Sequence, residues 1–388
     1  MEMRMNTNWP AVFLLWLIGL LAAGQFAKIA VMLPEVTALY DAGPQAALAI
    51  SMNGIAGLVF GATAGAAIAR VGPRRALVAG MLLGGMMALA QALTSGFATL
   101  LALRLLEGFA HLAIVIAAPV LMVNAAAPRH HTMVMGLWGM FFGVGFALTA
   151  SLAPGLLALG GVRAVLLTHG GALFVLAALV PLLVQRIPAS APEQRSWLAE
   201  HVAIYTNPRL LAPGLGFLWH TSMFLALLTF LPQLVAPGAV WFASALPLVA
   251  LAGTFTGGVM ARRISPRWIA SGSFAATAVL MLILWLTPEG ARMWLALLAI
   301  AVVGFAPGAM FAAIPVLNDD PRDQARAGGA LAQLGNLGTA GGPALYAVVL
   351  AMGGLGGIAM LTAALCLAGI VALALVFGRI VSIAPSGD

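Results

Sequence analysis

Four residues in this chain of 388 have the types and the placing to handle charge inside an apolar environment: Lys28, Arg104, Glu107 and His111. Lys28 is the only lysine, and it lies in an apolar stretch from Pro10 to Pro34. An ammonium near the middle of a membrane costs on the order of 2.5 to 3.5 kcal/mol by insertion scales, so it is expected to face a polar cavity and to pair with something. Arg104, Glu107 and His111 stand at i, i+3 and i+7, which puts them on one face of a helix, where they can line a single cavity. The three ionic groups sum to one net positive charge with His111 neutral, and an anion would complete the set. Release of Glu107 from an ion pair would let a proton on its carboxyl couple to transport. His111 is the competing proton carrier, because imidazole titrates near neutral pH.

The composition demands a membrane. The chain is 62% hydrophobic and only 7% charged, with a mean hydropathy of +1.06, more apolar surface than a soluble core of this length could hide. Continuous apolar runs such as Leu210 to Val235 read as helices, since the strands of a membrane barrel would alternate polar and apolar residues. The formal charge of +7 and the pI near 11.0 do not indicate nucleic acid, because the charges sit between apolar runs and form no basic, aromatic-interleaved surface. The single cysteine, Cys366, leaves no disulfide within the chain and no thiolate cluster for a metal. No metal site and no cofactor are expected. The first apolar run is too long for a signal-peptide core and lacks a small-residue cleavage site, which predicts a retained first helix.

Proline, glycine and charge punctuation divide the chain into about twelve spans, beginning near Pro10, Pro44, Ala76, Ala98, Met133, Ala164, Leu211, Val240, Trp268, Met293, Gly329 and Leu355. The even-numbered connections carry Arg70, Arg74, Arg75, Arg129, Arg186, Arg195, Arg209, Arg262, Arg263, Arg267, Arg322 and Arg326, whereas the odd-numbered ones carry only Arg163 and Arg292. The positive-inside rule then places Arg4, Arg379 and both termini in the cytoplasm of a bacterial cell whose inner membrane the chain crosses. The one long polar connection, from Arg186 to Pro208 with Glu193, Arg195, Trp197 and Glu200, predicts a short helix on the inner surface. It separates an N-terminal six-helix bundle over residues 1–185 from a C-terminal one over 209–388, with 186–208 as linker. Gly65, Ala69 and Arg70 recur as Gly257, Ala261 and Arg262, a repeat of the kind found in secondary transporters, whose site lies between the halves near the midplane. With the first span rising and the fourth descending, Lys28 and Arg104 lie at one depth, about 9 Å below the outer helix ends, with Glu107 one turn deeper and His111 deeper again.

The stretch Gly65-Ala-Ala-Ile-Ala-Arg70-Val-Gly72-Pro-Arg74-Arg75 resembles the signature between the second and third helices of the major facilitator superfamily. There a glycine permits close packing and a basic loop grips a neighbouring helix end to form a gate. Ala69 replaces the signature's acidic residue, while the arginines retain the ability to bond the carbonyl end of another helix. Arg104-Leu-Leu-Glu107-Gly108 resembles the family's fourth-helix motif, associated with proton transfer in proton-coupled members. The fifth helix lacks the glycine-proline pair of the drug-antiporter motif. Met135-Gly-Leu-Trp138 and Leu231-Pro232 look loosely like the cyanate porter group. The resemblance implies an all-α membrane fold of two pseudo-symmetric six-helix bundles, with helices one, four, seven and ten lining a central pathway.

Two readings of the charged cluster stand side by side. In one, Lys28 and Arg104 receive an anion and Glu107 or His111 carries a proton. In the other, Arg104 and Glu107 form a structural ion pair that locks the fourth helix, while Lys28 reaches a carbonyl or snorkels outward. Gln25, one turn before Lys28, serves either the cavity or an interhelical hydrogen bond. His220, mid-helix in span seven, reads first as a packing histidine, yet its pathway helix makes it a binding candidate, as are Gln333 and Asn336 on one face of span eleven. Asn53, Gln91 and Asn124 read as interhelical glue, and His130, His131 and His169 are assigned no chemistry. The 19 methionines raise copper import through Met133, Met135, Met140, His220 and Met223, but methionine is also a common filler of apolar helices. Gly341-Gly342 and Gly353 to Gly357 read as packing and hinge points, with no lysine to make a phosphate loop.

The sequence therefore predicts no enzyme but a monomeric secondary transporter that carries a small anion across the bilayer by alternating access, with proton-coupled uptake the preferred direction. Proton-driven efflux of a lipophilic compound is the principal alternative. A non-transporting receptor with this fold is a further one, predicting a closed pathway and no flux.

Overall fold

The computed structural model describes residues 6–61, 63–189 and 197–383. Arg4, Glu193 and Arg195, and the side chains of Trp197 and Glu200, lie outside the described residues. Helices follow one another with short breaks: α1 (Trp9–Val31), α2 (Leu33–Tyr40), α3 (Leu48–Phe60), α4 (Ala64–Val71), α5 (Pro73–Leu93), α6 (Phe97–Ala125), α7 (His131–Gly139) and α8 (Phe141–Leu183). After the midpoint come α9 (Trp197–Thr206), α10 (Pro208–Val235), α11 (Val240–Met260), α12 (Pro266–Leu286), α13 (Glu289–Val303), α14 (Phe305–Leu317) and α15 (Pro321–Ile383). No strand occurs among the described residues. Ten helical stretches are long and apolar enough to cross a membrane. Two of them hold two crossings each: α8 runs 43 residues and breaks at Gly160 and Gly161, and α15 runs 63 residues and breaks at Gly354. Split there, the crossings among the described residues number twelve. Gly161 has φ +63° and Gly354 φ +54°, left-handed backbone that glycine adopts without a Cβ clash, so the chain reverses with almost no loop.

Side chains close the helix ends and the hydroxyls. Asn8 caps α1 by accepting from the Ala11 amide at 3.2 Å, and Asn207 caps α10 by accepting from the Arg209 amide at 2.9 Å. Both helices place proline in the first turn, where its missing N–H is no loss. Inside the spans, Thr149, Thr229, Thr254 and Thr362 donate to carbonyls four residues earlier at 2.8 to 3.1 Å, which satisfies each hydroxyl without a second helix.

The chain divides into two compact units, Met1–Ala56 with Thr63–Gln194 and Gly57–Ala62 with Arg195–Asp388. In the first, α1 packs on α8, and α5 on α6 and α8, around Leu15, Ile18, Leu77, Met81, Ile114 and Leu173, all fully buried. Several chain ends meet at one pole of this unit. The Asn8 amide donates to Ala125 O at 2.9 Å, the Asn8 side chain to Leu183 O at 3.2 Å and Arg74 to Val184 O at 2.9 Å. Arg70, Arg75, Arg129 and Arg186 border the same ends in sequence. At the other pole Tyr40 donates to Thr94 O at 3.0 Å, near Glu35 and Asp41.

The second unit is built on α10 against α15 and on α11 against α14. Gly253 and Gly257 of α11 face Gly304 and Gly308 at the start of α14, and both pairs are spaced four apart. A Cβ at Gly253 would stand 2.0 Å from Ala301 O, one at Gly304 2.3 Å from Ala250 O and one at Gly308 2.0 Å from Thr254 O. The two backbones thus touch directly, the small-residue packing by which membrane helices associate. The Gly65 and Gly257 of the internal repeat differ in use: a Cβ at Gly257 would lie 2.3 Å from Phe305 O, whereas nothing lies within 4 Å of one at Gly65.

Replacing Gly308 with valine should force α11 and α14 apart and destabilise the unit by about 1 to 3 kcal/mol or more. Gly341→Ala, whose new methyl meets nothing within 4 Å, should leave stability unchanged or raise it slightly. Melting midpoints of the two variants in detergent decide this; equal midpoints would remove the close-packing account.

Candidate functional site

Helix α6 carries Arg104, Glu107 and His111 inward while Leu106 and Phe109 on its other side are exposed. Gly108 lets it approach α3, since a Cβ there would stand 2.6 Å from Asn53 O. That approach brings the Arg104 guanidinium onto α3, where Nε donates to Ala49 O at 2.7 Å. Its Nη1 donates to Glu107 Oε2, which also accepts from Gln91 Nε2 of α5 at 2.7 Å. Glu107 Oε1 accepts from Lys28 Nζ of α1 at 2.5 Å. Lys28, Arg104 and Glu107 are all at most 1% exposed. The network therefore closes α1, α3, α5 and α6 around one carboxylate within the first unit.

His111 extends it by a turn. Its Nδ1 lies 3.2 Å from Ala22 O and 3.1 Å from Gln25 Oε1, two acceptors, so Nδ1 carries the hydrogen. The ring edge meets Phe26 at a centroid distance of 5.0 Å and 89°. Several polar atoms of the cluster have no partner among the described residues: Gln25 Nε2, Arg104 Nη2, Gln91 Oε1 and His169 Nε2. His169, to which the sequence assigns no role, stands against Gly24, one turn before Lys28, where a Cβ would come within 3.1 Å of its ring. Gln91 likewise proves to be a direct ligand of Glu107. Gln91 makes the interhelical bond expected of it, though nothing in the sequence names Glu107 as its partner, and no sequence signal marks His169, because only the helix packing brings α8 to Lys28.

The remaining candidates sit apart from this network. His220 is buried in α10 between Phe217 and Phe224, stacked at 5.9 and 4.8 Å, and its Nδ1 has no partner among the described residues. Gln333 accepts from the Tyr205 hydroxyl at 3.2 Å and donates to His201 at 3.1 Å and Leu58 O at 2.9 Å. Burial pushes the Tyr205 phenol above its ordinary range, so it stays a donor. Asn336 donates to Ala332 O at 2.8 Å and abuts Gly57, so with Gln333 it holds the Gly57–Ala62 stretch in the second unit. Of the glue candidates, Asn124 bonds Val120 O of its own helix at 2.8 Å, and the Asn53 amide has no partner among the described residues. Met223 accepts a thiol contact from Cys366 at 3.7 Å, and Met133 and Met140 line an apolar cavity of about 510 Å³ with Trp9, Phe13 and Leu137. The stretch expected as a gating loop is helical on both sides of Gly72, which turns with φ +93°: Arg70 in the last turn of α4 is exposed, Arg75 in the first turn of α5 is exposed, and Arg74 beside it bonds the carbonyl that ends α8.

The family model of the Major Facilitator Superfamily matches residues 15–244, more than half of the chain and including the buried ionic network. The chain belongs to the Major Facilitator Superfamily. It is thus a multi-pass membrane transporter for a small molecule, and not an enzyme. Among solved structures it is similar to a bacterial homolog to the human lysosomal transporter Spinster in an inward-facing and occupied conformation. The TM-score is 0.72 at 17% identity, over 94% of this chain and 92% of that one. An inward-facing and unoccupied structure of a bacterial homolog to Spinster gives 0.71 at 16%, over 95% of both chains. At these identities the likeness is one of fold. No curated protein matches the sequence.

The charge balance of the network orders its variants. Glu107→Gln leaves two buried cations facing a neutral amide and should destabilise by about 3 to 5 kcal/mol. Lys28→Met leaves the Arg104–Glu107 pair balanced and should be markedly milder. Melting midpoints in one detergent test the order, and a Lys28→Met protein less stable than Glu107→Gln would refute the charge account.

Proposed function

We propose that the protein is a secondary transporter that takes up a small anionic solute together with a proton by alternating access. The observation that carries this reading is the excess of donors around Glu107. One carboxylate serves an ammonium and a guanidinium, and among the described residues Arg104 Nη2 and Gln25 Nε2 remain donors without acceptors. An anion supplies both the missing charge and the missing acceptors. A proton on Glu107 releases Lys28 and Arg104, so that proton and anion favour the same state of the cluster. Linkage then makes the two bind with positive coupling, and uptake should rise as the pH on the entry side falls.

Flux of an anion panel into proteoliposomes tests this. Lys28→Met, which keeps a balanced ion pair, should reduce anion uptake by about tenfold or more, equivalent to roughly 1.4 kcal/mol of lost binding, while the protein remains folded. Undiminished uptake would sink the anion reading. Glu107→Gln, assayed on its folded fraction, should abolish accumulation driven by a pH gradient and leave anion exchange running; persistent pH-driven accumulation would take the proton role from Glu107.

The apolar cavity of about 510 Å³ at Trp9, Phe13, Met133 and Leu137 supports a second reading, export of a lipophilic compound. Under it, Lys28→Met leaves the flux of a lipophilic dye intact and Leu137→Trp, which fills the cavity, abolishes it.

A further inference from the structure

At the pole of the first unit where α5 starts and α8 ends lies a separate cavity of about 290 Å³, walled by Gly72, Arg74, Arg75, Arg186, Ile187 and Pro188 among others. Three of its lining residues are arginines and none is acidic. Arg74 is partly committed, through Nη1, to Val184 O at 2.9 Å, whereas Arg75 and Arg186 are exposed. The start of α5 adds to the positive field. Its N-cap, Gly72, supplies no side-chain bond and its first turn holds no acidic residue. The Arg74 and Arg75 amides are first-turn donors with no carbonyl inside the helix to meet, at the positive end of a 21-residue helix. Because α5 and α8 are membrane-crossing helices, their paired ends fall at the bilayer surface, at headgroup depth. Val71 of the lining is 52% exposed, and Leu182, two residues before the Val184 carbonyl that Arg74 holds, is 76% exposed.

We propose that this cavity binds the phosphate of an anionic phospholipid, with Arg75 and Arg186 gripping the phosphate oxygens and the acyl chains lying along the aliphatic surface at Leu182. Guanidinium forks match phosphate geometry, and a first-turn amide donates to an anion at low reorganisation cost. The ligand's shared chemistry is a phosphate group with at least one negative charge, and the site is independent of which solute the transporter carries.

The test uses the full chain, purified in detergent and stripped of lipid, with phosphatidylglycerol, phosphatidylcholine and inorganic phosphate as probes. Native mass spectrometry should show phosphatidylglycerol retained in preference to phosphatidylcholine, and a thermal-shift titration should saturate with the former alone. Arg75→Gln with Arg186→Gln should weaken phosphatidylglycerol binding about thirtyfold, while Arg75→Lys with Arg186→Lys retains part of it. Arg74 is left in place to cap α8, and an unchanged melting midpoint of the lipid-free glutamine variant shows that its fold is intact. Millimolar inorganic phosphate that displaces the lipid from the wild type, and that the glutamine variant fails to bind, assigns the phosphate site to a free anion instead of a headgroup. Equal retention of both lipids, or equal phosphatidylglycerol binding by wild type and the glutamine variant, overturns the proposal.

Discussion

A buried carboxylate that must answer two buried cations sets the terms for the first unit. Each of Lys28, Arg104 and Glu107 loses nearly all its water, a loss of several kcal/mol per ion that only close pairing and further hydrogen bonds offset. The protein recruits those bonds from every neighbouring helix: Ala49 O from α3, Gln91 from α5, Lys28 from α1. The polar groups that hold the charge are therefore also the groups that hold the helices. Moving any one of the four helices relative to the others opens a charged or hydrogen-bonded contact of the network.

The second unit reaches cohesion by different physics. Among its described residues, the ion pairs of Arg292 with Glu289 and Arg326 with Asp323 lie at helix ends, with partly or largely exposed groups. Many of its interior hydroxyls close locally, as Thr229 and Thr254 do onto carbonyls four residues earlier, while Tyr346 and Thr362 bond each other across the Gly354 break at 2.8 Å. What brings its helices together is the glycine seam of α11 and α14, where carbonyls sit in the space a side chain would take. Apolar side chains gain little from meeting each other when lipid is the alternative, so close backbone contact has to supply the attraction. The two units share a sequence repeat at Gly65 and Gly257, yet only Gly257 is packed tight. Duplication preserves the pattern of a loop more readily than the crowding around it.

Much of this was legible in the residues. Apolar runs and arginine spacing mark twelve crossings, because the bilayer imposes length and charge bias on every span. The depth count sets Lys28 level with Arg104, and in the structure the ammonium instead meets Glu107, one turn further; a flexible four-carbon stem covers that difference. Gln91 was legible as an interhelical bond but not its partner, and His169 carried no signal at all, since a side chain's neighbours on other helices depend on rotation about each axis, which a hydrophobic pattern does not fix when the helix is apolar all round. The α11–α14 seam was written as two glycine pairs four apart, a spacing that identifies a contact face but not its partner. Gln333 and Asn336 share a face as expected, and that face meets Tyr205, His201 and the Gly57–Ala62 stretch.

The site's own stoichiometry carries the functional argument one step further. If the cluster were only a brace, the economical arrangement would be a single cation facing Glu107, because a second one adds a desolvated charge without a second counter-charge. Arg104 alone already reaches both Glu107 and α3, and α1 could be held by the His111 bond to Ala22 O. Lys28 is thus surplus to cohesion, at a depth where surplus charge is heavily penalised. On the proposed function that surplus has a use: a network one negative charge short is stabilised by taking on an anion.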